Sequence, residues 1–562
     1  MLQISRSVKQ PSRGYNTSIR RERDESMKTT NTDVCIVGAG PVGLTAANTL
    51  RALGIRVRIL DRKSSISPFS KAFGIQARTL EMLNLIGALR PFLKEGFPIT
   101  DAAVQPEGKR PSNASFASLD TPFPFMLMLP QSDTEHILKK QLREVGQFID
   151  WNTHCKRITQ YSDHAEVECA TENGHELIRA SYVIGCDGPH STVRENMNVS
   201  FPGGKHETIY FLGDVTVEGL SLSNDISTFI TERGVAAFFP FRDEKYRVIT
   251  IDHAEQNREH RDDLPLEDLE KSVRRITQQP VHFPHASWLS QFGTSHHQAD
   301  AYRDHRLFLA GDAAHLHSPF GGQGMNLGMQ DAVNLCWKLA WVLRGHSHPA
   351  LLDTYEEERY VVGRRTIRMT NTAMQVMTRS HTLIPRLLAN PVSILSKSNS
   401  LQRQLTQRLA NIDISYQNRA SLAKFQHQGE MIPAGSRAAP ARVLTTEGEH
   451  ADVMDFLHIQ QFTCLFYIED EQELHQLDES IQEVRRQYGP SILILVVQRK
   501  GILRASKPNI HHLFDYRRDL AVKWKLPTFS AVLIRPDGYV AFAEQPVRTG
   551  RLMRKIHTAL YQ

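Results

Sequence analysis

From Asp33 to Asp61 the chain reads as strand, tight glycine turn, helix and strand, a unit that can fold in few ways. Asp33 to Val37 is apolar, and Gly38, Gly40 and Gly43 follow in G-x-G-x-x-G spacing. Pro41 to Leu53 has helical periodicity with Gly54 behind it as a cap, and a second apolar run ends at Asp61. Such a βαβ unit belongs to a parallel sheet. The first glycine permits the tight turn, the second lets backbone approach a pyrophosphate, and the third allows the helix to pack on the strand. Asp61 can accept from ribose hydroxyls, and an acid there suits a free 2′-hydroxyl rather than an added phosphate. The pattern predicts a dinucleotide site; its plain alternative is a glycine-rich turn in an ordinary α/β unit.

A second stretch, Arg306 to Gly345, reads RLFLAGDAAHLHSPFGGQGMNLGMQDAVNLCWKLAWVLRG. Arg306 to Ala310 is a short buried strand that Gly311 and Asp312 end as a turn, which places an acid at the carboxyl edge of a sheet. Beyond Pro319, the bare backbone of Gly321, Gly322 and Gly324 lets a flat ring approach before a helix begins near Met325. Leu335, Leu339 and Val342 have core-facing spacing, and Gly345 stops the helix. Free amides and the positive dipole end then point at whatever lies on the glycines, an arrangement that favours the anionic pyrimidine edge of a reduced flavin. A third strand end, Ser181 to Ile184, runs into Gly185, Cys186, Asp187 and Gly188, with Ser191, Val193 and Arg194 behind it.

Between these, residues 100–125 and 200–285 are rich in Phe, Thr, Val and turn residues and predict an antiparallel sheet layer. Phe238, Phe239, Pro240 and Phe241, followed by Arg242, are either core or the wall of an apolar pocket with a polar handle. Lys71, Arg78 and Gln131 stand at the openings of helical patterns and could bond a nucleotide; for Arg78 a solvated surface position reads equally well. Residues 350–420 read as polar helices, 426–441 as a linker, and the tail as a βαββα unit with strands at Ile492–Val497, Ala531–Ile534 and Tyr539–Phe542.

The 562 residues carry a formal charge of +6 without a concentrated basic patch, which argues against nucleic acid or an acidic membrane as partner. No apolar run reaches bilayer length. The six cysteines have no paired spacing, so neither a disulfide framework nor a metal site is expected, and the chain reads as cytoplasmic. Residues 1–30 are polar and begin basic; with Met27 just ahead of the first strand, they read as a disordered or dispensable extension, the alternative being a transit peptide.

GAGPVG with Asp61, GCDGPHSTVR and GDAAHLHSPFGGQGMN together resemble the class A, single-component FAD-dependent aromatic hydroxylases of the para-hydroxybenzoate hydroxylase fold. The tail, with LPTFSAVLIRPDGYVAF, resembles the thioredoxin-like C-terminal domain of the phenol hydroxylase and pentachlorophenol monooxygenase branch, although it has no CxxC. The resemblance implies an α/β fold: a Rossmann-type FAD-binding domain over 31–425, interleaved with an antiparallel substrate sheet, and a thioredoxin-like domain over 426–562 with a structural or dimer-contact role. It implies that Gly38, Gly40 and Gly43 hold the FAD pyrophosphate, Asp61 the adenosine ribose, and Asp312 the ribityl chain. Gly311, Gly324, Met325 and Asn326 fall within the flavin-loop motif. Asp187, Gly188 and Arg194 would serve both FAD and a passing NADPH or NADH. Gln131 matches a glutamine that contacts FAD in relatives, Lys71 stands where arginine is commoner, and Pro319 matches a proline beside the flavin.

The implied reaction is reduction of FAD, formation of a C4a-hydroperoxide with O2, and oxygen transfer to a phenolic or polycyclic ring. The alternatives are a halogenase or reductase on the same scaffold, or a flavin-binding protein without oxygenase chemistry. Phenol hydroxylase has an Asp where this chain has Phe73, so that base is missing. His315 and His317, beside the flavin loop, are the candidates for proton relay, with Tyr210 and Arg242 as further ones from the sheet layer.

Overall fold

The computed structural model describes residues 28–68, 72–108, 111–222, 225–242, 244–258, 263–378, 399–417, 419–425, 431–501 and 508–561. Lys71 and the basic segment before Met27 lie outside them.

Strand β1 (Lys28–Val37) is longer than its apolar run, because Lys28 to Thr32 extend the parallel pairing with Gly174–Gly185. Helix α1 (Pro41–Ala52) leads to β2 (Val57–Leu60), which pairs parallel with β1 on its other side. Leu307–Leu309 adds to Gly174–Gly185 and Ile149–Asp150 to β2, both parallel. All four central strands are nearly devoid of exposed side chains on their inner runs, as expected of a sheet covered on both faces. The order in this sheet reverses beside β1, the place where open α/β sheets take ligands.

The second sheet has eight strands, built from Asp101–Pro106, Ser112–Ser115 and five longer strands between Gly203 and Gln298, closed at one edge by His315–Leu316. It is antiparallel except where Asp101–Pro106 runs parallel to Ile226–Thr231. The segment expected to be all strand also contains an amphipathic helix, Leu266–Thr277, with acids in its first turn and arginines in its last. That helix packs Leu269, Val273 and Ile276 onto Phe211, Phe238 and Val248, covering one face of the sheet. The strand that leads into the glycine-rich loop therefore belongs to the second sheet itself, with His315 and Leu316 opposite Gln298 and His297.

The helix expected near Met325 spans Gln323–Leu343. Its sequence suggests one core-facing stripe, yet 18 of its 21 residues are buried. The difference comes from the tail, which covers the second side: Trp337 and Trp341 meet Phe462 edge-on at 5.7 and 4.9 Å. The tail is a seven-stranded mixed sheet whose central strand, Ile492–Gln498, and its neighbour Phe462–Ile468 are wholly buried. Residues 431–441, expected to be a linker, instead pack Met431, Ala438 and Ala441 into this core. Five of the six cysteines are buried and none is paired.

Candidate active site

The three motif glycines have different physical reasons. A Cβ on Gly38, at φ +105°, would lie 2.3 Å from the Cys186 carbonyl oxygen, and one on Gly43 would lie 1.9 Å from that of Gly38. Both are demanded by the fold. Gly40 has nothing within 4 Å of such an atom, so its bareness serves what lies outside the loop. Gly40 also caps α1 without a side-chain bond, leaving the amides of the first turn free. Asp61 accepts from the Ala39 amide at 2.8 Å and the Lys63 amide at 2.9 Å, fixing the loop while keeping lone pairs for a hydroxyl.

The flavin loop is built likewise. Gly311, at φ +63°, passes so close to α1 that a Cβ would sit 2.8 Å from Val42 Cγ2, and one on Gly328 would sit 2.6 Å from the same methyl. Gly328, which the motif reading passed over, lets the long helix cross α1 beneath the loop. Gly321 and Gly322 have φ of +72° and +62°, and Gly322 caps the long helix without a side-chain bond. At Gly324 a Cβ would make only ordinary contacts, 3.6 Å from His317 and 4.0 Å from an Asp312 oxygen. Asp312 is exposed at this glycine face. Asn326 is fully buried, donates to the Gly74 and Gly322 carbonyls at 2.9 Å each and accepts from the Gln76 amide, so it ties the helix to strand β3 (Phe73–Ile75). Met325 beside it is also buried.

The two histidines separate. His315 is 1 % exposed and places Nε2 2.7 Å from Asp331, which also accepts from the Gly311 amide at 3.2 Å and from Arg359 at 2.6 Å. Burial alone would raise the Asp331 carboxyl, but Arg359 and His315 hold it below the ordinary range. This network, which motif reading did not find, fixes the start of the loop. His317 instead faces Gly324, with Nδ1 against the Ser318 carbonyl and Nε2 buried without a partner among the described residues. Burial pushes its pKa down to about 4, so it is neutral at ordinary pH.

Asp187 accepts from Ser191 Oγ and the Val193 amide and so braces a short helix that Ser191 caps; burial raises its carboxyl. Gly188 turns the chain there at φ +80°. Arg194 donates to the carbonyls of Ala313 and Pro189 and stacks on Phe201 at 3.8 Å, joining this loop to the flavin loop. Gln131 accepts from the Ala72 amide and donates to Glu135, tying the start of its helix to the segment ahead of Phe73. Arg78 is neither exposed nor at the nucleotide: it is fully buried, pairs with Glu81 and donates to the Asp537 carbonyl in the tail. Pro319 is exposed at the loop, and Tyr210 reaches Ser318 Oγ at 3.4 Å from the sheet. Arg242 is exposed and donates to Lys94 and Gly96 carbonyls, so the polar handle expected of it is directed elsewhere.

Two uncapped helix starts, an open Gly40 and Gly324, and an unpartnered His317 nitrogen fit a long anionic cofactor with a flat ring at one end. Fold and site define a dinucleotide-dependent oxidoreductase in which a flavin loop is also an edge strand of a second sheet. The chain belongs to the FAD binding domain family, whose model matches residues 31–370, and FAD is its cofactor. It is 30 % identical over 514 residues to YhjG of Bacillus subtilis (strain 168), described as an uncharacterized aromatic compound monooxygenase, covering 91 % of this chain and 94 % of that one. To pentachlorophenol 4-monooxygenase of Sphingobium chlorophenolicum it is 29 % identical over 518 residues, covering 90 % and 93 %. Among solved structures, the OxyS anhydrotetracycline hydroxylase of Streptomyces rimosus superposes with a TM-score of 0.74 at 26 % identity, over 95 % of this chain and all of that one.

Proposed function

We propose that this protein is an FAD-dependent monooxygenase that consumes NADPH or NADH and O2 and hydroxylates a phenolic or polycyclic aromatic compound. The observation that carries this reading is the continuity of the His315–Leu316 strand with the second sheet, which brings the glycine face and an aromatic-lined sheet face together. Bound FAD would supply two-electron chemistry with the nicotinamide cofactor and O2, one oxygen atom entering the ring and the other leaving as water. Gly38, Gly40, Gly43 and Asp61 would hold its nucleotide half, and Gly311, Asp312, Gly324, Met325 and Asn326 its ring half. Asp187, Gly188, Arg194 and Gln131 act by fixing the loops around it. His317 would meet the flavin as a neutral donor or acceptor, and His315 positions the loop. The protein's further task is to exclude water from the ring face.

The mixed tail sheet supports a thioredoxin-like domain over 426–562, packed on the 31–425 unit, and a homodimer contact there is part of the reading. Among the described residues no helix is long and apolar enough to cross a membrane; a cytoplasmic location is part of the reading. A panel of phenols and polycyclic aromatics, scored by NAD(P)H oxidation and product mass, tests the proposal. A gain of one oxygen with stimulated oxidation is expected; flavin reduction without any oxygenated product would leave the reductase alternative, and no NAD(P)H oxidation at all a flavin-binding protein.

A further inference from the structure

The second sheet has two faces, and only one is covered by the Leu266–Thr277 helix. Phe211, Val215, Phe238 and Val248 point to that helix. By strand alternation Tyr210, Asp214, Phe239 and Arg247 point the other way, toward the flavin loop, as the Tyr210 contact with Ser318 shows. On this face the registers of four strands align Trp288, Asp214, Arg247 and Phe239 in one cross-strand row. Phe73, from the segment that abuts the Gly321–Gly322 turn, closes over the row: its ring lies 4.6 Å from that of Phe239 and 4.9 Å from the Arg247 guanidinium. Trp288 and Phe241 flank the same guanidinium at 5.1 and 5.5 Å.

Arg247 has no exposed surface. Its Nε and one terminal nitrogen each donate to an Asp214 oxygen at 2.7 Å, a bidentate pair that fixes the plane of the guanidinium. The other terminal nitrogen, NH1, is buried and has no partner among the described residues. A buried donor of this kind is costly unless something accepts from it. The rings of Phe73, Phe241 and Trp288 around it give that donor flat apolar surroundings.

We propose that Arg247 NH1 is the anchor for an oxygen carried on the substrate's aromatic ring, a phenol held as or near its phenolate, with Asp214 as the positioning residue. The inference rests on the monooxygenase reading and narrows its substrate class. It also supplies what Phe73 cannot: a cation at the phenolic oxygen favours the anion and so enriches the ring in electrons for oxygen transfer. No base is needed at position 73 if the ring enters as the phenolate, its proton going to water.

The test uses the FAD-loaded enzyme and three phenols, 4-nitrophenol, 1-naphthol and 1-hydroxyanthraquinone, each beside its methyl ether. Binding is read from the flavin difference spectrum. At least one phenol is expected to bind roughly ten- to a hundredfold tighter than its ether, the range of a hydrogen bond to a charged group. R247M should bring that ratio to within about threefold, and R247K should recover part of it. Because R247M leaves Asp214 unpaired, D214L/R247M removes both charges, and it should lose the ratio too. Equal binding of phenol and ether by the parent enzyme, no binding of any phenol, or a ratio that survives in the folded variants would overturn the role of Arg247. A protein that carries no FAD, or gives no product with any aromatic compound, would instead refute the monooxygenase reading.

Discussion

Replacing Arg535 by leucine should uncouple the tail from the two long helices beneath it, Gln323–Leu343 and Asp353–Thr378. Arg535 is 7 % exposed and lies between Glu358 and Asp537, which are 1 % and 0 % exposed. It donates to Glu358 at 2.5 and 3.0 Å and to Asp537 at 3.0 and 2.5 Å, while Lys338 donates to Glu358 at 2.9 Å. The cluster balances two cations against two carboxylates. R535L leaves two buried carboxylates and one lysine, a loss of about 3–5 kcal/mol for a broken buried pair. The pH dependence has a definite sign. Burial would raise the Glu358 carboxyl, but Arg535 and Lys338 outweigh it and hold its pKa well below the usual range. That stabilisation is present above the unfolded carboxylate pKa of about 4.3 and is lost as pH falls through the folded value. In R535L the folded pKa moves up, so the gap to the parent protein is full at pH 7.5 and shrinks toward pH 4. Urea unfolding of the FAD-loaded protein, followed by circular dichroism and flavin fluorescence, measures it. The variant R535L/D537N, which keeps Lys338 paired with Glu358 and leaves no unpaired charge, should recover most of the loss. A gap below about 1 kcal/mol, or one equal at both pH values, would refute the assignment of the cluster as an electrostatic lock.

The glycines of the flavin loop should divide by mechanism. G328A drives a methyl to 2.6 Å from Val42 and 2.9 Å from Gly311 Cα, and should cost about 1–3 kcal/mol in unfolding free energy whether or not FAD is bound. G324A meets no protein atom closer than 3.6 Å, so apoprotein stability should stay within about 0.5 kcal/mol while FAD affinity falls roughly tenfold, read by flavin titration. D312A should lose FAD on gel filtration; full flavin occupancy would remove Asp312 from the cofactor site. His317, with a pKa near 4, is neutral throughout the working range, so H317Q should change the rate of substrate-stimulated oxidation without moving any transition between pH 6 and 8. A transition in that window that vanishes in H317Q would contradict its buried, neutral state.

The parts of the fold legible in the sequence are those whose physics is local. A glycine needed for a positive φ, a strand ending at an acid and a helix start behind Gly322 are all set within a few residues. The Leu266–Thr277 helix was equally legible from Pro265, its acidic first turn and its arginine-rich last turn, but the strand-like composition on both sides of it hid the change of period. FTCLFYI, an interior strand of the tail sheet, is a plain buried run that the more obvious hairpin further along the tail overshadows. What no local pattern carries is register. Arg247 becomes a site residue only because two strand pairings place it between Asp214 and Phe239, whereas the nearer Arg242 looked like the handle and turns away. Asp331 and Arg359 are ordinary helix residues until the fold sets them 2.6 Å apart beneath Gly311.

Most of the acidic and polar side chains that the motifs mark are engaged with the protein's own backbone. Asp61 holds the Ala39 and Lys63 amides, Asp187 the Val193 amide, Asn326 the Gly74 and Gly322 carbonyls, and Arg194 those of Pro189 and Ala313. The motif is therefore a device for pre-forming a glycine-lined surface before FAD arrives, so that binding need not order the loops at that moment. The same logic extends outward. The Gly311 amide rests on Asp331, Asp331 on Arg359, and Arg359 on the Tyr416 hydroxyl at 3.1 Å; Tyr416 packs on Tyr539 of the tail hairpin at 4.4 Å. Arg359 follows Glu358 in the chain, and Glu358 is the residue that Arg535 grips. The tail thus closes the far side of the helices that carry the flavin loop, which explains how Gln323–Leu343, with Asn326, Gln330, Asp331, Asn334 and Lys338 along it, can be buried on nearly every side and still hold one loop in place.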